Sequence, residues 1–285
     1  MSSPNDRNPP GDDAATLSEA GREIVGTGES ATVLRLRRGA VVKLFFAHVE
    51  RHTAEREFAG SAAARSLGLC VARPIKIVRV GNRHGLIMDH LVGAVVLRKV
   101  AKSPVGMTLA LFKLALWQSR MHRTSVVAGA LPPTGVVLAQ RIATSVAGAR
   151  GIAAARAMLT GTTDDDRLCH GDLHLGNMID TPAGLATIDW AKATIGPPEA
   201  DAARSELLIR YGKYGRFMRR VPPVRIMRHV SAEWYLACYC LMSGRRRADV
   251  MRWRLPVAVG WMQGQGTMFV PGLQRAIDRM ARRGR

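Results

Sequence analysis

An aspartate and an asparagine stand five residues apart in His170-Gly171-Asp172-Leu173-His174-Leu175-Gly176-Asn177, and a second aspartate follows in Ile188-Asp189-Trp190. Carboxylate and amide oxygens are hard donors, the kind that Mg²⁺ takes while keeping places for water and phosphate oxygens. Phosphoryl transfer asks for such a set beside a carboxylate near the acceptor hydroxyl, because catalysis there is mostly positioning and charge neutralisation. On this reading Asp172 sits on a loop, free to accept the hydrogen bond of a substrate hydroxyl. Asn177 folds back toward the metal, and Asp189, on a hairpin beyond the turn at Pro182 to Gly184, brings a second ligand. The histidines keep supporting roles: His170 braces the loop through its ring hydrogen bonds, and His174 does likewise or touches substrate.

Two more features belong with this chemistry. Val41-Val42-Lys43-Leu44 puts one lysine in an apolar strand, where burying an ammonium is costly unless an anion answers it. A phosphate is such an anion. Upstream, Gly26-Thr27-Gly28-Glu29-Ser30-Ala31 begins as a G-x-G-x-x-G loop does, and in such a loop backbone N–H groups approach a triphosphate closely. Ala31 stands where the third glycine belongs, so a plain β-turn is the ordinary reading of this segment by itself.

The elements that must hold these residues follow from pattern. Residues 22–46 read as a meander of three antiparallel strands with turns at the glycine segment and at Arg38-Gly39. Residues 48–69 have helical composition and end at Gly68. PIKIVRV and HGLIMDHLV, separated by Gly81-Asn82, read as a hairpin. After Gly93 the composition turns helical. TLALFKLALWQSRMH places Leu109, Phe112, Leu116 and Trp117 on one stripe, expected to face the core, and SVAGARGIAAARAML is a second helix. Loop and hairpin follow through 167–197, then helices at GPPEADAARSELL, RIMRHVSAEWYLACYCLM and GLQRAIDRMARR. The tryptophans at 234, 253 and 261 and Met262 are expected in the core, His122 as a packed or capping residue, and Arg245-Arg246-Arg247 as a solvated turn.

HGDLHLGN, the downstream IDW and GPPEADAARSELL together resemble the aminoglycoside phosphotransferase and choline-kinase-like family, distant relatives of the protein kinases, over roughly residues 22–210. The resemblance implies an α+β, bilobal protein-kinase-like fold. A flexible tail (1–16) would precede a small antiparallel β-rich N-lobe with one helix (17–92), which binds nucleotide. A larger, mainly helical C-lobe (93–285) would carry the catalytic loop and the acceptor-binding helices. It also implies Asp172 as catalytic base and Asn177 with Asp189 as magnesium ligands, in agreement with the residue chemistry. Kinases of this kind pair the strand lysine with a helix carboxylate; Glu57 is the choice for Lys43, with Glu50 and Glu55 as competitors. The expected ATP (or GTP) contacts are Gly26, Gly28 and Ser30 of the turn, Lys43, and the backbone of the connecting strand from Met88 to His90.

Composition bounds what remains. The chain has 285 residues, 47% of them hydrophobic and 22% charged, which fits a globular chain and not a disordered one. Cys70, Cys169, Cys238 and Cys240 are scattered without a CxxC pair, so neither a disulfide framework nor a zinc site is suggested and a reducing cytoplasm fits. No stretch reaches the ~18–20 apolar residues that span a bilayer. The formal charge is +20, and 19 basic against 6 acidic side chains fall between Ala191 and Arg285. Such an excess concentrates anionic partners without choosing among them, so nucleic acid is expected only as a nonspecific partner of this basic third. A small-molecule hydroxyl acceptor is the expected substrate. Aminoglycosides are polycations, and the thin supply of carboxylates after Ala191 brings neutral or anionic hydroxylated metabolites, sugars and less cationic antibiotics level with them. Two other readings are a kinase-fold nucleotide-binding regulator without turnover and a basic ribosome-associated binding protein.

Overall fold

The computed structural model describes residues 22–36, 39–127, 129–160, 165–212, 222–263 and 272–283; the tail expected over 1–16 lies outside them. Five strands, β1 (Ile24–Thr27), β2 (Ala31–Arg35), β3 (Ala40–Phe45), β4 (Pro74–Val80) and β5 (Arg83–Asp89), form one sheet in the order β1-β2-β3-β5-β4. Every neighbouring pair is antiparallel. Helix α1 (Arg51–Ser66) is inserted between β3 and β4. Its Ala, Glu and Arg residues favour helix, and Gly68, in the left-handed region at φ 76°, ends it with a bond from its N–H to Arg65 O. The buried residues of α1 are Ala54, Glu57, Gly60, Ser61 and Ala64. Only one of these is charged, and it is the one the site uses.

The chain then passes through β6 (Ala94–Val95) and a short helix α2 (Val96–Val100) into helix α3 (Pro104–Met121). Ser103 caps α3 by accepting from Gly106 N–H, with Pro104 in the first turn. Helices α4 (Thr134–Ala143) and α5 (Ala149–Leu159) follow, then β7 (Leu168–Cys169) and a single 3₁₀ turn (Leu175–Asn177). Strands β8 (Met178–Thr181), β9 (Gly184–Thr187) and β10 (Thr194–Ile195) lead to helices α6 (Pro198–Tyr211), α7 (Pro222–Ser243), α8 (Arg247–Trp261) and α9 (Leu273–Arg283). Strand β8 pairs with both β6 and β9, and β10 pairs with β7. A mixed α+β fold results, with an antiparallel sheet first and a helical body after it. No helix among the described residues is long and apolar enough to cross a membrane.

Two core expectations are corrected. Leu109 and Phe112 are exposed, and the buried stripe of α3 is instead Leu111, Leu114, Ala115 and Gln118. This stripe packs with Tyr235, Leu236 and Tyr239 of α7. Helix α3 is apolar almost all round, so periodicity alone does not fix the phase of its buried face. Trp234 is 42% exposed, and its indole N–H donates to Thr108 O. Met262 is buried as expected, Trp253 packs partly buried against the helical core, and His122 caps α3 from a buried position. The residues Arg245 and Arg246 precede α8, while Arg247 begins it.

Candidate active site

Lys43 lies mid-strand in β3, between Val33 of β2 and Leu86 of β5. Its Nζ donates to Glu57 Oε2 at 2.6 Å, to Glu57 Oε1 at 2.8 Å and to Asp189 Oδ1 at 3.1 Å. The anions that answer this ammonium are carboxylates from α1 and from the segment after β9. Among the helix glutamates only Glu57 turns inward. Glu55 pairs with Arg51 on the surface, and Glu50 occupies the N-cap position without a side-chain cap bond. Burial would push the Lys43 ammonium down, but Glu57 and Asp189 outweigh it and hold the group well above the usual lysine value. Burial pushes the Glu57 carboxyl up to about 7, against the pull of Lys43.

The loop from His170 to Asn177 is held from several sides. His170 shares a hydrogen bond with Ile188 O at 3.1 Å through Nε2 and accepts from Asp172 N–H through Nδ1, while its ring packs against Trp190. This is the bracing role expected for it. His174 Nδ1 accepts from Gly176 N–H and caps the 3₁₀ turn. Asn177 Nδ2 donates to Asp172 O at 3.0 Å, and Ile188 N–H donates to Asn177 O. These bonds bind the two halves of the proposed metal site together. Asp189 has φ 67°, the one left-handed non-glycine residue among those described; aspartate tolerates that region better than bulkier residues do. Burial would raise its carboxyl, yet Lys43 and Lys192 hold it below the usual range.

Gly171 shows why the motif needs glycine. Its φ is 75°, and a Cβ there would lie 2.2 Å from Lys192 O. Gly171→Ala is therefore expected to cost about 1–2 kcal/mol for the left-handed backbone, and the carbonyl must shift as well. Thermal unfolding measures this. A fall in Tm of several degrees is expected, and an unchanged Tm contradicts the account.

Asp172 is buried and its carboxylate is not free, contrary to the loop expectation. It accepts from Lys192 Nζ at 2.7 Å and from Arg204 Nη2 at 2.9 Å. Burial alone would raise its pKa, but Arg204 and Lys192 outweigh that and hold the carboxyl well below the usual range. Neither cation was singled out from sequence. Asp201 was missed too. Its Oδ1 accepts from Gly171 N–H at 2.6 Å, and its Oδ2 accepts from Gln118 Nε2 at 2.8 Å and lies 3.0 Å from His122 Nε2. The available signal is the second of two carboxylates, Glu199 and Asp201, in the alanine-rich start of α6, with Arg204 three residues beyond Asp201 and so on the same helix face.

The glycine segment forms the β1–β2 turn, closed by Gly28 N–H to Ala31 O at 2.9 Å. Gly26, Gly28 and Ser30 line the same cleft as Lys43 and Asp172, as do Met88 and His90. Along the connecting strand the N–H groups of Asp89 and His90 already donate to Arg73 O and Gly39 O. The cleft encloses about 1020 Å³, enough for a nucleotide and a second molecule together.

Sheet, inserted helix and helical body around such a cleft define a protein-kinase-like phosphotransferase fold. Residues 22–206 match the phosphotransferase enzyme (APH) family, and the chain belongs to that family. Similar solved structures include aminoglycoside phosphotransferase APH(4)-Ia, at 12% identity and TM-score 0.63, covering 93% of this chain and 94% of that one. Another is APH(3'')-Id from Streptomyces rimosus in complex with ADP and streptomycin, at 18% identity and TM-score 0.59, covering 88% and 96%. Amicoumacin kinase hAmiN, in complex with AMP-PNP and Ca²⁺, is 10% identical with TM-score 0.57, covering 94% and 89%. No curated protein matches the sequence.

Proposed function

We propose that the protein transfers the γ-phosphoryl group of ATP or GTP to a hydroxyl of a small molecule, with Mg²⁺. One observation carries this reading: Asp172 and Asn177 of the catalytic loop, Asp189 beyond β9 and the Lys43–Glu57 pair of the sheet and α1 border a single cleft. The acceptor oxygen forms a bond to the γ-phosphorus as the bond to the β–γ bridging oxygen breaks. The hydroxyl proton passes to Asp172 and then to solvent. Lys43, fixed by Glu57, positions the phosphates. Residues 17–92 serve as the nucleotide lobe, with Gly26, Gly28, Ser30, Met88 and His90 along its wall, and 93–285 as the acceptor lobe.

The donor set fits magnesium. With Asp189 Oδ1 turned to Lys43 and Asn177 Nδ2 to Asp172 O, Asp189 Oδ2 and Asn177 Oδ1 remain as hard oxygens. Mg²⁺ commonly takes one or two protein ligands and completes its shell with water and phosphate. When bound it supplies charge neutralisation on the phosphates. Four free cysteines suit a reducing cytoplasm. Antibiotic resistance is one subclass of the reading, since the relatives above are complexed with or named for antibiotics.

The deciding experiment is acceptor-dependent release of nucleoside diphosphate across a panel of hydroxylated metabolites, sugars and antibiotics. Release that needs Mg²⁺ is expected. Nucleotide binding without release for any acceptor favours a regulator of kinase fold. Lys43→Ala is expected to lower kcat/KM by about 10²-fold through misplaced phosphates; unaltered kinetics remove the lysine from the mechanism.

A further inference from the structure

The half of the cleft beyond Asp172 is walled by Val137, Leu138 and Arg141 of α4, Arg204 of α6, and Val257 and Trp261 of α8. Arg141 and Arg204 are its cations, and the nearby carboxylate of Asp201 is turned into the fold. Arg204 is 9% exposed and spends one nitrogen on Asp172, while Nε and Nη1 are buried with no hydrogen-bond partner. Trp261 covers the face of this guanidinium at 4.2 Å, which leaves the in-plane N–H groups to seek an acceptor. The Arg141 side chain makes no ion pair or hydrogen bond among the described residues. Burial, helped by the charges of Arg204 and Arg56 and only partly opposed by that of Asp172, presses its pKa down to about 10.

The acidic side chains that could serve a cationic acceptor are already engaged. Glu199 is bound by Arg245, Glu206 by Arg210 and Arg254, and Glu233 by Arg210 and Arg247. Asp249 pairs with Arg246, and Asp278 accepts from Gln274. Both oxygens of Asp201 are filled from inside the fold. Arg204 keeps two buried nitrogens without an acceptor beyond its ion pair with Asp172, and the half-buried Arg141 side chain has no partner among the described residues, an arrangement that an entering anion relieves; the fork of an arginine matches carboxylate or phosphate oxygens.

We infer that the acceptor carries an anionic group, carboxylate or phosphate, received by Arg141 and Arg204 beneath Trp261 while its hydroxyl points to Asp172. This rests on the phosphotransfer reading of the cleft and narrows its substrate to hydroxylated acids or phosphate esters. Polycationic acceptors are disfavoured by the same wall.

The test uses the full chain saturated with Mg²⁺ and AMP-PNP, so that the γ-phosphate position is filled. Acetate and methylphosphonate are titrated separately by calorimetry, which distinguishes the two anion chemistries. At least one is expected to bind, with Arg141→Gln weakening it about 10–100-fold, the loss of a charge-assisted contact. Arg252→Gln, an exposed arginine of α8, should match the wild type. If Arg141→Gln does not fold, Arg141→Lys takes its place, and binding weakened severalfold by the lost fork is the expected result. Absence of binding by both anions, or binding indifferent to residue 141, overturns the inference. A parallel comparison of gluconate, glucose and glucosamine as acceptors separates the two levels. Faster turnover of the amino sugar than of the acid refutes the anionic acceptor and leaves the kinase standing. No turnover of any acceptor in the wider panel, with anion binding intact, refutes the kinase and leaves the anion site.

Discussion

Asp172→Asn is expected to lower kcat by about 10²–10⁴-fold, the usual contribution of a positioned general base, with little change in nucleotide affinity. The amide keeps the shape of the side chain and can still accept one hydrogen bond, but it cannot take a proton. In the wild type Arg204 and Lys192 hold this carboxyl far down its range, so it stays ionised at neutral pH. Such a group is a weak base toward a free alcohol. In the loose transition state of phosphoryl transfer the proton leaves late, once the new O–P bond has acidified the hydroxyl, so orientation and a fixed negative charge matter more than intrinsic basicity. The expected signature is a fall in kcat and in kcat/KM together, as for an interaction made mainly in the transition state. Steady-state diphosphate release and calorimetric titration of the nucleotide check the two halves. Turnover within a few-fold of wild type removes Asp172 as base; a matching loss of nucleotide affinity reassigns it to phosphate or metal binding.

The parts of the fold that sequence made legible are those written in local chemistry. The three-strand meander, α1 with its Gly68 stop, the β4–β5 hairpin and α6 with Pro198 in its first turn lie where turn residues and composition place them. Helix α4 was not legible, because Gly135 and the β-branched Val136 and Val137 weaken its helical signal, and α8 carries Pro256 in its interior. These two helices form the wall opposite the catalytic loop, so the cationic end of the cleft was hidden with them. Residues of the motif itself could be named because their types have few other uses in combination. Lys192, Arg204, Arg141 and Asp201 could not, since an arginine on a helix or an aspartate near a helix start has an ordinary surface role, and only tertiary packing turns these four inward.

Asp201→Ala is expected to cause the largest loss of stability. The carboxylate is 3% exposed, and it is the shared acceptor for Gly171 N–H, Gln118 Nε2 and the His122 ring. Gln118 in turn accepts from Tyr235 Oη, and His122 shares a hydrogen bond with Tyr239 Oη. Helices α3 and α6 and the catalytic loop therefore meet at one side chain, with α7 joined through Gln118 and His122. Truncation leaves these donors buried without an acceptor, and breaking a buried charged network of this kind costs about 3–5 kcal/mol. Against a total of about 5–15 kcal/mol, such a loss lowers Tm by roughly 6–20 °C at this chain length. Burial alone would raise the Asp201 carboxyl, but His122, His170 and Gln118 outweigh it and hold the pKa below the usual range. A depressed carboxyl contributes stability above its unfolded value, near 3.9, and that contribution is lost as pH falls through the folded value. Wild type should thus show an acid-side decline in Tm that Asp201→Ala shows less steeply. Gly171 N–H is one of the orphaned donors, so the variant should also misplace the residue beside Asp172 and lose activity at temperatures where it remains folded. Scanning calorimetry between pH 3 and 8 with assays at 15 °C separates the effects. A variant as stable as wild type, with the same acid slope, shows that water or a rearranged side chain satisfies those donors and that α6 does not hold the loop through this carboxylate.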